Sequence, residues 1–132
     1  MAEFPVMIAL VTVPPSGSVY HRLHWAVKRE LRTGFAWEFR CNAELCGLRP
    51  RAAHDIPRVR LGIRAYRNGR RYDEENFMAG LKPLLDGMRD AGYLRNDSPV
   101  WLELEPRPEQ LKCGPDSDRV EIDYTELLGD KK

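Results

Sequence analysis

The sequence predicts an α+β domain: a mixed sheet of about four strands packed by two helical regions, in the order β-α-β-α-β-β. Three observations carry this reading. Short aliphatic or alternating runs, typical of strands, are interleaved with longer stretches of helical apolar spacing. Gly, Pro and Asn-Gly signals punctuate the changeovers. The chain of 132 residues, 42% hydrophobic and 31% charged, is one domain's worth (1–132) with enough apolar side chain for a core.

The first element is Val6–Val13, continuously apolar, as a strand buried on both faces would be. Pro14-Pro15-Ser16-Gly17-Ser18 ends it, because proline removes donors and glycine permits turns. Leu23, Val27 and Leu31 then recur at helical spacing from about Tyr20 to Arg32. Gly34 is expected to interrupt that helix, which resumes over Phe35–Leu45 and stops by Gly47 and Pro50. Within Arg58–Tyr66, Val59, Leu61, Ile63 and Ala65 share one face, and Arg58, Arg60 and Arg64 the other. The result is a half-buried strand with a cationic outer face, closed by the Asn68-Gly69 turn. Phe77, Leu81, Leu84, Leu85 and Met88 form the apolar stripe of a second helical region over 75–91, kinked or restarted at Pro83 and stopped at Gly92. Val100–Glu105 and Arg119–Tyr124 alternate as strands, with a loop through Pro106–Asp118 between them. Residues 129–132 read as a frayed tail.

Charge is distributed unevenly. Residues 1–71 hold 13 Lys/Arg and 5 Asp/Glu, a balance of +8; residues 72–132 hold 8 and 15, a balance of −7, giving the net +1. The changeover falls within Arg70-Arg71-Tyr72-Asp73-Glu74-Glu75. A basic segment attracts polyanions and an acidic one can hold divalent cations; the same asymmetry also suits an ordinary mixed surface. No apolar run approaches the roughly 18 residues of a membrane span, and Ala2-Glu3 is no basic leader. Three cysteines, Cys41, Cys46 and Cys113, leave one unpaired, which points to a reduced, cytoplasmic setting.

The chemistry concentrates in Asp73–Asp97. If residues 73–75 are extended, Asp73 and Glu75 project to one side, where two carboxylates can meet a hard cation such as Mg²⁺. Acids at a helix start are commoner in a capping role, and spacing alone favours that use. A third carboxylate, Asp97, follows the helix; about 17 helical residues span roughly 25 Å, so it reaches Asp73 only if the chain folds back. Asp97-Ser98-Pro99 is also a plausible simple turn, and Lys82 an ordinary solvated helix lysine. His21 and His24 with Cys41 and Cys46 offer zinc-type ligands at a spacing unlike common zinc modules. His24 and Trp25 are expected to pack the first helix, and Trp101 to pack at a sheet edge.

Three segments together resemble the RusA-type Holliday junction resolvases, small Mg²⁺-dependent endonucleases of bacteria and phages. They are Arg71-Tyr72-Asp73-Glu74-Glu75-Asn76, then Gly80-Leu81-Lys82-Pro83-Leu84-Leu85-Asp86-Gly87, then Asp90-Ala91-Gly92-Tyr93-Leu94-Arg95-Asn96-Asp97-Ser98. Val13-Pro14-Pro15-Ser16 with Tyr20-His21-Arg22 is similar to the family's opening, so the ordered set covers most of the chain. The resemblance implies that Asp73, Glu75 and Asp97 bind the metal, that Lys82 is the essential lysine, and that Asp86 and Asn76 support them. It further implies Mg²⁺ (or Mn²⁺) as cofactor, with no small-molecule cofactor and no membrane. Branched DNA is the implied substrate, and a homodimer matches the two-fold symmetry of a four-way junction. Arg58, Arg60, Arg64, Arg70, Arg71, His21 and Arg22 are the expected phosphate contacts. Three departures stand out: Glu75 replaces the usual Asp, Asn96 replaces the first acid of an Asp-Asp pair, and Lys82 lies about one turn further from Asn76 than in the best-known member. They admit an alternative, a junction- or DNA-binding protein of the same fold with weakened catalysis.

Overall fold

In a computed structural model, which describes residues 5–127, the strands β1 (Val6–Leu10), β2 (Val59–Arg67), β3 (Leu102–Leu104), β4 (Glu109–Lys112) and β5 (Arg119–Glu126) form one mixed sheet. The helices are α1 (Gly17–Arg22), α2 (Trp25–Leu45), α3 (Glu74–Gly80) and α4 (Lys82–Ala91). The α+β class and the mixed sheet are as the sequence predicts; the sheet has five strands. The expected tail at 129–132 lies outside the described residues. No described helix is long and apolar enough to cross a membrane.

Strand β2 organises the sheet. It pairs antiparallel with β5 on one side, and on the other runs parallel to β3 through its first half and to β4 through its second. Val59, Leu61, Ile63 and Ala65 are buried, as the period-two pattern requires. They pack in one core with Phe35, Phe39, Leu84 and Met88 from α2 and α4. The opposite face of β2 carries Arg60, Arg64 and Tyr66, all only partly buried. Strand β1 is an edge strand bonded to β5 alone, with Ile8 opposite Ile122. Ile8 and Leu10 are buried but Met7 is 49% exposed, so the expected burial on both faces is not found. A single covered face buries only alternate residues of β1.

The first helical region also departs from expectation. Gly34 lies inside a continuous α2, and the break falls earlier, at Leu23 and His24, both extended. His24 caps α2, its Nδ1 accepting from the Ala26 amide at 3.1 Å. Trp25 is 62% exposed, so neither residue packs the first helix. Helix α2 buries Phe35, Phe39 and Ala43 in its second half, whereas Val27 of the predicted stripe is exposed. Its approach to α4 is close. A Cβ on Gly87 would stand 2.8 Å from the Ala36 nitrogen. Behind this contact Tyr124 donates to the Tyr93 carbonyl at 2.6 Å, and Phe39 meets Tyr93 edge-on.

Around Pro83 the structure follows the pattern: α3 and α4 share Leu81 as their junction, and Pro83 sits in the first turn of α4. Gly92 ends α4 at φ 96°, a left-handed conformation that favours glycine. The expected loop at 106–118 contains β4. Its four residues, Glu-Gln-Leu-Lys, carry one large aliphatic side chain and follow Pro106 and Pro108, so no local pattern marks a strand. Only its pairing to β2 defines it.

Candidate functional site

The site is built where β2 leaves the sheet. After the turn at Asn68, whose amide donates to Asp118, the chain is held at Tyr72 by a two-point contact with the buried Gln110 of β4. The Tyr72 amide donates to Gln110 Oε1 at 2.9 Å, and Gln110 Nε2 donates to the Tyr72 carbonyl at 2.8 Å. Arg67 lies on the Tyr72 ring, its Cζ 3.7 Å from the centroid. Asp73 follows as the N-cap of α3, its Oδ1 accepting from the Asn76 amide at 2.9 Å. The capping use of Asp73 is therefore real. The extended reading of 73–75 is not: Asp73 is extended, but Glu74 and Glu75 already lie in the helix, so Asp73 and Glu75 are not alternate residues of one strand.

Asn76 joins this helix start to the other end of the chain. Its Nδ2 donates to Asp73 Oδ2 at 3.0 Å, while its Oδ1 accepts from the Ser18 amide at 3.1 Å. The Pro14-Pro15-Ser16 turn thus seats directly on α3. Contact there is tight. A Cβ on Gly17 would stand 2.5 Å from that of Ala79, and one on Gly80 would stand 1.8 Å from the Pro15 carbonyl oxygen. Ser16 caps α1 through the Val19 amide, and His21 and Arg22 are exposed at the end of this helix, which packs on α3. Glu74 is engaged by Arg107 at 2.8 Å, and Glu75 is exposed in the first turn of α3.

Lys82 opens α4 with Nζ 3.4 Å from Asp86 Oδ2, one turn on. Asp86 is buried and also faces Arg32 of α2 at 3.9 Å, while Arg32 grips Asp90 with two hydrogen bonds. The Arg32 hydrogen bond holds the Asp90 carboxyl below the usual carboxylate range. Arg32 thus faces both carboxylates of α4, hydrogen-bonded to Asp90 and 3.9 Å from Asp86, the partner of Lys82.

Asp97 stands in a different cleft, bordered by Arg58, Leu85, Leu102, Glu103 and Leu104. Asn96 holds the turn there, accepting from the Ser98 amide at 2.8 Å. Among the described residues no three His, Cys, Asp or Glu side chains are grouped so as to hold a metal ion. Asp73, Glu75 and Asp97 are not gathered into one cluster within the chain. Their donor chemistry, exposed carboxylate oxygens with neither thiolate nor imidazole, fits a hard divalent cation. The zinc reading fails on distance: His24 and Cys46 cap opposite ends of α2, about 30 Å apart at 1.5 Å per residue.

The cationic face of β2 is neutralised. Arg58 and Arg60 meet Glu103 at 3.3 and 3.4 Å, and Arg64 meets Asp123 at 2.7 Å and Glu121 at 3.4 Å. The Asp123 hydrogen bond, opposed by partial burial, raises the Arg64 pKa. These partners lie on β3 and β5, whose register against β2 a single-strand pattern does not reveal. Trp101 is half-buried under Arg95, whose Cζ lies 3.7 Å from its ring centroid. The sequence reading missed Gln110, Arg67 and Arg32; for Arg32 and Asp90 the only signal is opposite charge on two predicted helices.

The architecture is that of a two-layer α+β domain in which one turn and one helix start, distant in sequence, share a site. No protein-family model matches the chain. No curated protein matches it at a significant level.

Proposed function

We propose that this protein is a Mg²⁺-dependent, structure-selective endonuclease that cleaves phosphodiesters in branched DNA, acting as a homodimer, with Mn²⁺ able to replace Mg²⁺. The observation that carries the reading is the Ser18–Asn76–Asp73 hydrogen-bond chain. It joins the Pro-Pro-Ser opening to the acid-x-acid-Asn helix, two motifs of the resolvase resemblance that are 58 residues apart.

Asp73 and Glu75 would hold the cation together with Asp97, which stands in a cleft of its own within one chain and would have to join them across the homodimer. The cation would supply an activated water and charge neutralisation at the phosphate. Asn76 fixes the orientation of Asp73. Lys82, which lies beside Asp86, would offer a positive charge to the phosphoryl oxygens as negative charge develops on them. Arg70, Arg71, His21 and Arg22 are exposed and oppose the repulsion between acidic site and DNA backbone.

The test is cleavage of a labelled four-way junction beside linear duplex, with and without Mg²⁺. Mg²⁺-dependent nicking of the junction, lost in Asp73→Asn with binding retained, is expected. Asn caps helices as well as Asp does, so the variant removes charge without removing the cap. Unchanged cleavage by Asp73→Asn refutes the assignment. A second reading, a junction-binding protein with weakened catalysis, is favoured by Asn96, whose side chain serves a turn and brings no charge beside Asp97. Binding without nicking at any Mg²⁺ or Mn²⁺ concentration selects it.

A further inference from the structure

The arginines of the open sheet face already have carboxylate partners. A phosphate arriving there must displace Glu103, Glu121 or Asp123, and the charge-assisted bonds that would be broken are worth more than neutral ones. The arrangement differs on the other side of β2, where its end meets β4. A cleft there is lined by Arg67, Gly69, Arg70, Arg71, Gln110 and Lys112, with Leu111 beside them and no carboxylate among the lining residues.

Two features of this cleft point to an anion. The first is register. Arg67 and Lys112 are direct partners across the parallel β2–β4 pair, so two cations stand opposite each other on one face of the sheet. Like charges so placed repel, and among the described residues neither has a carboxylate within ion-pair distance. The second is rigidity. Arg67 is stacked on Tyr72 and donates from a terminal nitrogen to the Arg70 carbonyl at 2.8 Å. Tyr72 is itself pinned to β4 by Gln110 at both its amide and its carbonyl. The cations are therefore presented on an ordered frame, which lowers the entropy cost of binding.

We propose that Arg67, Arg70, Arg71 and Lys112 form a pocket for a backbone phosphodiester of the DNA strand that enters the candidate active site. The inference rests on the endonuclease reading for the identity of the strand, and adds Arg67 and Lys112 to the DNA-contacting set. Arg71 lies two residues before Asp73 and Arg70 three. Three residues of extended chain reach about 10 Å, so a phosphate in the pocket lies close along the strand to one facing Asp73. The frame that holds the cations also sets the start of α3, so strand position and carboxylate position are fixed together.

Anisotropy of a labelled four-way junction, titrated with protein in Ca²⁺ or without metal over a range of salt, reads this interaction independently of cleavage. Removing one cation that neutralises a phosphate lowers the slope of log K against log salt by about 0.9 on duplex DNA. Lys112→Gln and Arg70→Gln are each expected to lower the slope by about that amount, and the pair by about twice it. Arg40→Gln, which removes an exposed arginine of α2 paired with Glu44, is expected to leave the slope unchanged. Wild-type slopes in both pocket variants, with Asp73→Asn still abolishing cleavage, overturn the pocket and leave the endonuclease reading standing. Failure of the wild-type protein to bind the junction at any salt overturns both. Binding that requires a 5′-terminal phosphate on the junction overturns the backbone assignment.

Discussion

Replacing Gly80 with alanine tests whether the Pro14-Pro15-Ser16 turn is truly wedged against α3. Alanine is the better helix residue, by about 0.8–1.0 kcal/mol, so propensity alone predicts a gain. The structure predicts a loss. The new Cβ would stand 1.8 Å from the Pro15 carbonyl oxygen and 3.0 Å from its carbon, against backbone that cannot rotate away. Relief requires the turn to withdraw by more than an ångström, which breaks the Ser18–Asn76 hydrogen bond at 3.1 Å. Overpacking costs about 1–3 kcal/mol and the broken bond about 0.5–1.5. Set against the propensity gain, the net destabilisation is about 2 kcal/mol. For a chain of this length each kcal/mol moves Tm by about 4 °C, so thermal unfolding followed by circular dichroism should shift down by about 8 °C. Gly34→Ala is the control. Gly34 is also helical, but a Cβ there meets nothing within 4 Å, so it should raise Tm by a few degrees. If Gly80→Ala unfolds at or above the wild-type temperature, the packing argument is wrong.

Two other outcomes follow from the core and the ion pairs. Tyr124→Phe removes the buried donor to the Tyr93 carbonyl and should cost about 1–3 kcal/mol in urea unfolding, a change below about 0.5 contradicting that role. Acid should destabilise the fold through Asp90 and Glu121, which hydrogen bonds from Arg32 and Arg119 respectively hold below the usual carboxylate range. Because their folded pKa values lie below the unfolded ones, this stability is present above about pH 4 and is lost as pH falls through the folded values. Asp90 is 39% exposed, so solvent screens its share. Arg32→Gln should make Tm less sensitive to pH below about 4; an unchanged acid profile contradicts the assignment.

Much of the fold was legible because its signals are local. The alternation of Val59, Leu61, Ile63 and Ala65 gave β2 its buried face, and Pro83 and Gly92 marked the restart and stop of the second helical region. What escaped depends on partners distant in sequence. An apolar run such as Val6–Val13 reads alike on one covered face or two, and only its place at the sheet edge exposes Met7. Gly34 tolerates a helix interior because nothing crowds it, while the break went to Leu23 and His24, where an imidazole supplies the cap. For the site, Asn76 bonds Asp73 and Asp86 faces Lys82, each contact lying within a single helical turn. The arginines of β2 were expected to face phosphate and instead face Glu103, Glu121 and Asp123, since a period-two pattern gives a side chain's face without its cross-strand neighbour. Asp97 is likewise placed by a tertiary path, and it lies in a cleft of its own.

The most direct measurement of the central claim is Mn²⁺ binding, followed by electron paramagnetic resonance, to the junction-bound protein in its wild-type, Asp73→Asn and Asp97→Asn forms. If the three acids act on one cation, both substitutions weaken Mn²⁺ affinity by at least about tenfold. Wild-type Mn²⁺ affinity in Asp97→Asn contradicts a shared centre.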